Sequence, residues 1–229
     1  ALPILEVLNS GILSGFVANP GLDFLGGDHV IALEEAFSKR FDKAQSVSFN
    51  SATSALHGSL IAAGVDVGDE VIVPPYSMSA TATAVLMCGA VPIFVDIEPD
   101  TFCMNPSLVE SEIRSQTKAI IVVNLFGLPA DLASLRKIAD QNGLVLIEDN
   151  AQAPAALFSN QYAGTIGDMG VFSLNRHKTM QCGEGGVVIC DQEFYAHKLR
   201  MVRNHGEAVL LERPDSEYQL GDERVIGFN

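Results

Sequence analysis

The stretch "KAIIVVNLFGLPADLASLRKIADQNGLVLIEDN" (118–150) decides the fold. It starts and ends with apolar runs, 118–127 and 143–150, and each run is apolar nearly throughout instead of alternating with polar residues. Strands of that kind belong to a sheet that is covered on both faces. Residues 132–143 between them have helical spacing and end at Asn142-Gly143, a typical helix stop. The order predicts a right-handed crossover between two parallel strands.

The same alternation of strand and helix runs along the whole chain. The helix predicted at 193–206 is amphipathic, and we expect it to lead away from the sheet. The result is an α/β fold with a mainly parallel sheet. The other predicted strands are 46–50, 70–75, 91–97, 170–174 and 185–191, and the other predicted helices are 53–64, 79–89 and 106–115.

Composition excludes several classes of protein. The chain has 14 Lys and Arg against 28 Asp and Glu, a formal charge of −14. Such an acidic chain gains nothing from the counterions of nucleic acid and is not attracted to an anionic membrane. No stretch reaches the roughly 20 apolar residues of a membrane span. The four cysteines lack CxxC spacing, which favours reduced thiols in a cytoplasmic protein.

In a parallel sheet, ligands collect beyond the carboxyl ends of the strands. Three segments lie at predicted strand ends: 51–54, 148–152 and 173–178. The first, "SATS", opens a helix with small hydroxyl residues, so that free backbone N–H groups and the helix dipole could bind an anion. A plain helix cap by Ser51 or Thr53 is the alternative, and the residues alone leave both open.

The second segment contains Asp149, a carboxylate at the end of a buried strand, which requires a cation or hydrogen-bond donors. It could bind a metal, orient a base or pair with a protonated ring nitrogen, and helix capping is the ordinary alternative. The absence of an HxxxH-type cluster disfavours a metal. We interpret its neighbour Glu148 as structural or solvated.

The third segment belongs to "SLNRHKTMQCGEGG" (173–186), in which Lys178 follows a strand directly. A desolvated lysine is a nucleophile for aldehydes, although most lysines only lie on the surface. Arg176 and His177 either contact substrate phosphates or merely flank the lysine. An anion site, a buried carboxylate and a lysine on one rim together predict a ligand with a phosphate, a ring nitrogen and an aldehyde. Pyridoxal 5'-phosphate has all three.

Several stretches together resemble one family, the DegT/DnrJ/EryC1/StrS family of pyridoxal-phosphate-dependent nucleotide-sugar aminotransferases of fold-type I. The resemblance covers the chain from about residue 11 onward and implies a three-layer α/β/α fold with a mainly parallel seven-stranded sheet. The stretches, in family order, are "NSATSALHGSL", "GDEVIVPPYSMSATATAVLMCGAVPIFVDIEPDTF", "NLFGLPADL", "GLVLIEDNAQA", "GTIGDMGVFSLNRHKTMQCGEGGVV", "LRMVRNHG" and "IGFN".

The resemblance also implies roles for individual residues. Lys178 matches the lysine that forms the Schiff base with the cofactor, and Asp149 matches the partner of the pyridine nitrogen. Met78 stands where the family usually has an aromatic residue stacked on the ring. The other implied cofactor contacts are Thr53 and Ser54 in the phosphate turn, Ser173 on the phosphate, Gln152 beside the ring, and Asn229 reaching the phosphate of a neighbouring subunit.

From the resemblance we expect a cytoplasmic homodimer with shared active sites. It would transfer an amino group from glutamate or glutamine to a nucleotide-linked keto-sugar. The resemblance further implies that residues 1–25 form an N-terminal segment, 26–206 the cofactor-binding large domain, and 207–229 the start of the connection to a small C-terminal domain, which we expect to be largely missing.

Two rival functions stay open. One is a sugar dehydratase of the same family, whose members replace the lysine with histidine, whereas this chain keeps Lys178 and has its histidine at 177. The other is a non-catalytic relative that binds the cofactor or a nucleotide-sugar without turnover. A dinucleotide-binding Rossmann domain is excluded because no GxGxxG follows an early strand.

Overall fold

The computed structural model describes residues 2–17 and 22–206, which form helices and strands in alternation. The helices are α1 (Leu2–Ser10), α2 (Asp28–Phe41), α3 (Ala52–Ala62), α4 (Ala80–Met87), α5 (Pro106–Glu112), α6 (Leu132–Asn142) and α7 (Glu193–Arg203), with a 3-10 turn at Leu22–Leu25. The strands are β1 (Gln45–Phe49), β2 (Glu70–Val73), β3 (Val91–Phe94), β4 (Thr117–Val123), β5 (Val145–Asp149), β6 (Leu157–Phe158), β7 (Gln161–Tyr162), β8 (Met169–Ser173) and β9 (Gly186–Cys190).

Seven strands form one sheet in the order β1-β9-β8-β5-β4-β2-β3, and β6 and β7 form a separate hairpin. Strand β9 runs antiparallel to both of its neighbours, while the pairs β8-β5, β5-β4, β4-β2 and β2-β3 are parallel. The prediction of a mainly parallel seven-stranded sheet is confirmed. Six of its strands were predicted from their apolar runs, and the seventh, β1, was predicted at 46–50.

Helices cover both faces of the sheet. Ile121 and Ile147 lie in an apolar cluster with residues of α3, α4 and α7, whereas Ile120 and Leu146 lie in a second cluster with residues of α5 and α6. Successive strand residues point to opposite faces, so a strand with helices on both sides must be apolar throughout. This gives the three layers, and it explains why the runs in 118–150 do not alternate.

Helix α6 shows how local sequence sets the boundaries of an element. Asp131 caps it by accepting from the Ser134 N–H at 3.1 Å, and Gly143 ends it with a φ of +64°. Glycine adopts that left-handed conformation without the penalty that a β-carbon brings. The predicted stop at Asn142-Gly143 is confirmed.

Helix α7 corrects one prediction. It does not lead away from the sheet, because its residues Ala196 and Leu199 are buried in the same cluster as Leu56 and Leu60 of α3. The guanidinium of Arg200 also donates to the Gln45 side chain of β1 at 3.0 Å. The amphipathic pattern predicted a buried face correctly, and that face packs on α3 and the adjacent sheet edge.

Candidate functional site

The three predicted ligand-binding segments meet at one cavity of about 370 Å³, at the carboxyl ends of β1, β2, β5 and β8. That volume lies within the usual range for small-molecule sites. The cavity contains residues from each predicted segment, so the topological rule for parallel sheets holds here. The predicted cofactor contacts that line it are Thr53, Met78, Asp149, Gln152, Ser173 and Lys178. Other polar residues that line it are Ser51, Ser77, Asn175, His177 and Glu184.

The first wall is the N-terminus of α3. Ser51 is the N-cap, with extended backbone, and its hydroxyl oxygen accepts from the Ser54 N–H at 3.1 Å. Ser51 and Thr53 line the cavity, whereas Ser54 lines a neighbouring cavity of about 270 Å³. The backbone approaches β9 closely here, since a β-carbon on Gly186 would lie 2.5 Å from the Ser51 carbonyl oxygen. The helix cap predicted for Ser51 is present, and the same residue lines the cavity.

Asp149 ends β5 and is 4% exposed. Its Oδ1 accepts from the Ala151 N–H at 3.0 Å, and its Oδ2 accepts from the Thr81 hydroxyl at 3.2 Å. Burial raises the pKa of Asp149 above its ordinary value, while these two hydrogen bonds and the charge of Lys178 act in the opposite direction. The carboxylate thus lies in the cavity wall with two neutral donors and one cation at longer range.

A short chain of hydroxyls leads to Asp149 and was not predicted. Thr81 lies in the first turn of α4 and is 1% exposed, and its hydroxyl oxygen lies 3.2 Å from that of Ser77. Ser77 in turn lines the cavity. Nothing in the sequence distinguishes Thr81 from an ordinary threonine at a helix start, so only the fold reveals its proximity to Asp149.

Lys178 lies in the loop between β8 and β9 and is half-buried. Its N–H donates to the Asn175 carbonyl at 2.8 Å, and the Asn175 side chain donates to Glu184 across the base of the loop at 2.7 Å. Within the described part of the chain, the side-chain amine of Lys178 forms no recorded hydrogen bond or ion pair. The loop is therefore ordered by other residues, which leaves this amine available for a ligand.

The two residues before the lysine differ in position. His177 lines the cavity and Arg176 does not. The Arg176 Nε–H donates to His177 Nε2 at 3.2 Å, which requires that ring nitrogen to be unprotonated. Arg176 thus contacts a residue that lines the cavity without lining it itself.

The remaining predicted site residues differ in how they are held. Gln152 accepts from the Phe126 N–H at 3.2 Å, and the Ser173 hydroxyl accepts from the Asn175 N–H at 3.3 Å. Met78 is 69% exposed at the cavity. Asn229 lies outside the described residues.

Glu148 is fully buried and does not line the cavity. Its carboxylate accepts from the N–H groups of Gly164, Ile166 and Gly167 at 2.6, 2.8 and 2.6 Å, and from the Asn124 amide at 3.1 Å. Burial raises the pKa of Glu148, and these four hydrogen bonds oppose the shift. Glu148 was interpreted from the sequence as structural or solvated. The structure shows that it is structural.

The described residues contain neither a metal-binding cluster nor a membrane-spanning helix. No cluster of three or more His, Cys, Asp or Glu residues there could hold a metal ion. No helix in the same ranges is both long and apolar enough to cross a membrane. All four cysteines are free thiols.

The sheet order, the covering helices and the position of the cavity define the class of the chain: it has the large-domain fold of the fold-type I transferases. Residues 18–229 match the DegT/DnrJ/EryC1/StrS aminotransferase family. The chain belongs to this family.

Three known proteins show how close the similarity is. The L-glutamine:2-deoxy-scyllo-inosose aminotransferase of Streptomyces kanamyceticus is 41% identical over 82% of this chain and 45% of that protein. GDP-perosamine synthase of Caulobacter vibrioides is 36% identical over 89% of this chain and 53% of that protein. The structure of E. coli GDP-4-keto-6-deoxy-D-mannose-3-dehydratase with bound hydrated PLP has a TM-score of 0.78 and 31% identity, covering 89% and 51% of the two chains. The chain spans about half the length of the curated relatives it matches.

Proposed function

We propose that the protein uses pyridoxal 5'-phosphate to transfer an amino group from glutamate or glutamine to a keto-sugar. The observation that carries this proposal is that Asp149, Lys178 and the N-terminus of α3 line one cavity. Membership of an aminotransferase family and the bound PLP of a structural neighbour support the same choice of cofactor.

The residues of the cavity fit the cofactor group by group. A phosphate suits the N-terminus of α3, where Ser51 and Thr53 offer hydroxyls beside the positive end of the helix dipole. A protonated ring nitrogen suits Asp149, whose buried carboxylate has two neutral donors and no ion pair among the described residues. An aldehyde suits Lys178, whose amine has no recorded partner there.

When bound, the cofactor supplies an aldehyde and a conjugated ring that takes up the electron pair left when a C–H bond of the amino acid is broken. The amine of Lys178 would hold the cofactor by condensing with its aldehyde with loss of water, and the donor's amine would take over that bond and free Lys178. The freed amine of Lys178 then removes the proton from the donor's α-carbon and returns it one atom away, as base and then acid. Asp149 keeps the ring nitrogen protonated, and Lys178 reverses its proton transfer for the acceptor.

The remaining cavity residues position the ring and the phosphate. Met78 covers one face of the ring with a flexible thioether, and Gln152 lies beside it. Ser173 contributes a hydroxyl to the phosphate, and Ser54 supports the same helix turn through its N–H to Ser51. The roles of Met78, Gln152 and Ser173 come from the family resemblance, and all three residues line the cavity.

For the acceptor we propose a nucleotide-linked keto-sugar. The name of the Caulobacter relative contains a GDP-linked sugar, which supports that class. The name of the Streptomyces relative contains L-glutamine and a ketone of a cyclitol without a nucleotide. That name supports glutamine as the donor and makes an unlinked keto-cyclitol the first alternative acceptor to assay.

The order of the two half-reactions gives a direct test. Protein loaded with cofactor and mixed with glutamate or glutamine, without an acceptor, should release at most one 2-oxo acid per site in a rapid burst. Lys178→Ala should lower the rate of that burst by about 10²–10⁴-fold, the usual contribution of a positioned acid–base group. Absence of a burst in loaded wild-type protein contradicts the proposal.

A sugar dehydratase is the second candidate, because one structural neighbour is such an enzyme. The retained lysine at 178 favours transamination, since the resemblance implies histidine at this position in the dehydratases. Product assays separate the two: a dehydratase leaves the sugar without a new amine, whereas an aminotransferase incorporates ¹⁵N from labelled donor.

We also propose a cytoplasmic homodimer in which Asn229 of one subunit reaches the phosphate site of the other. The proposed domain limits, 1–25, 26–206 and 207–229, belong to the same hypothesis. Sedimentation of wild-type protein and of Asn229→Ala, with cofactor affinity measured on both, tests dimerisation and the shared site separately.

A further inference from the structure

The hydroxyl chain from Ser77 through Thr81 ends on the carboxylate of Asp149. We propose that Thr81 and Ser77 are positioning residues that hold Asp149 as a pure hydrogen-bond acceptor, so that the cavity selects a ligand with a protonated ring nitrogen. This inference rests on the proposed function, and it assigns the selection to residues that were not predicted from sequence.

The geometry of Thr81 supports this role. Its hydroxyl lies 3.2 Å from Asp149 Oδ2 and 3.2 Å from the Ser77 hydroxyl. Threonine in a helix commonly donates to a carbonyl of the preceding turn, but here the hydroxyl contacts the Asp149 carboxylate and the Ser77 hydroxyl. Thr81 is 1% exposed, so water does not compete for its single proton.

The direction of the chain follows from the chemistry of its end. An ionised carboxylate can only accept, so the Thr81 hydroxyl must donate to Asp149. The oxygen of Thr81 is then free to accept, and Ser77 donates to it. Consecutive hydrogen bonds that point the same way strengthen each other. Ser77 thereby makes Thr81 a better donor.

The two oxygens of Asp149 each have one donor, Thr81 on Oδ2 and the Ala151 N–H on Oδ1. Both donors stabilise the charged form against burial. Each carboxylate oxygen can accept a further hydrogen bond, and Asp149 lines the cavity. A ligand N–H⁺ satisfies that capacity, whereas a ligand C–H at the same position leaves a buried charge without its partner.

A merely structural role for Thr81 predicts something different. If the hydroxyl only supported the start of α4, its loss would weaken the binding of every ligand of the cavity to the same extent. Selection through Asp149 instead predicts that the loss depends on the ring atom of the ligand. Comparing two ligands that differ at that single atom therefore distinguishes the two roles.

The experiment titrates cofactor-free protein with pyridoxal 5'-phosphate and with its analogue in which C–H replaces the ring nitrogen. Thr81→Val removes the hydroxyl at nearly constant shape, Thr81→Ser keeps it, and Thr83→Val is the matched control at an exposed position of the same helix. We expect Thr81→Val to weaken pyridoxal 5'-phosphate roughly tenfold and the analogue less than about twofold. Thr81→Ser and Thr83→Val should behave as the wild type.

Ser77→Ala provides a second variant at a less buried position, and it should weaken pyridoxal 5'-phosphate about two- to threefold without affecting the analogue. Equal losses for both ligands in Thr81→Val, or no loss for either, overturn the inference. Wild-type protein that binds both ligands equally well also overturns it but leaves cofactor binding intact. Wild-type protein that binds neither ligand contradicts the proposed function itself.

Discussion

Glu148 and Asp149 are adjacent, nearly equally buried carboxylates at the end of β5, yet their surroundings differ completely. Glu148 points into a cluster made of Asn124, Gly164, Ile166 and Gly167, where four donors meet its two oxygens. Asp149 points into the cavity and has two donors. Alternation along a strand sends neighbouring side chains to opposite faces. Burial therefore does not distinguish a functional carboxylate from a structural one. The unused acceptor capacity of Asp149 does distinguish it.

The largest effect that separates the two carboxylates is expected in turnover. Asp149→Asn cannot stabilise a charge on the ring nitrogen, so the burst of 2-oxo acid should slow by about 10²–10³-fold. Glu148→Gln, assayed at equal cofactor occupancy, should slow it by less than about tenfold. Equal losses in the two variants would mean that the cavity-facing carboxylate has no special role.

The next effect is on stability, where we expect the change at Glu148 to matter more than the change at Asp149. Glu148→Gln turns an amide N–H₂ toward backbone N–H donors, which should lower the free energy of unfolding by about 1–3 kcal/mol in urea titrations. Glu110→Gln, at an exposed position on α5, is the matched control and should change it by less than about 0.5 kcal/mol. A neutral result for Glu148→Gln contradicts the structural interpretation.

A pH series sharpens the comparison for Asp149. Its pKa is raised in the folded, cofactor-free protein by burial, so the folded state holds a proton that the unfolded state has already lost. Its contribution to stability therefore falls as pH rises from about 4, the pKa of an unfolded aspartate. Asp149→Asn removes this pH-dependent loss of stability, because the amide does not ionise. The unfolding free energy of the variant relative to wild type should rise as the pH increases above about 4, and a flat or falling difference contradicts the raised pKa.

The smallest effect concerns the face of the ring. Met78→Phe replaces a flexible thioether by a flat ring and should tighten the binding of pyridoxal 5'-phosphate about two- to tenfold. Met87→Phe, exposed on α4, is the matched control and should leave the affinity unchanged. Weaker binding in Met78→Phe would show that the thioether does not cover the cofactor.

Much of the fold was predictable because its strands have clear patterns in the sequence. Strands buried on both faces have continuous apolar runs, 119–123 in β4 and 145–147 in β5, with polar residues directly after them. Helix α2 was not predicted, and its start has no capping side chain, since Gly27 precedes it. The hairpin of β6 and β7 has two residues per strand, too few for any periodicity. The prediction that α7 leads away from the sheet was wrong, because an amphipathic pattern does not identify the element on which the apolar face packs.

The site was predictable where a residue lies at the carboxyl end of a strand, as Asp149 does, or in the loop that follows one, as Lys178 does. It was less predictable on helices. Thr53 and Ser54 are neighbours on α3, but a helix turns by about 100° per residue, so that only Thr53 lines the main cavity. Thr81 is distant in sequence from Asp149, and their contact depends on how β2 and β5 are arranged in the sheet.

The central claim is that Lys178 holds the aldehyde of pyridoxal 5'-phosphate while Asp149 faces its ring nitrogen. The most direct measurement is borohydride reduction of cofactor-loaded protein, followed by digestion and mass spectrometry of the peptides. We predict a phosphopyridoxyl group on Lys178 and on no other lysine, and no incorporation into Lys178→Ala. Labelling of a different lysine, or none at all in wild-type protein that retains the cofactor, would contradict the account.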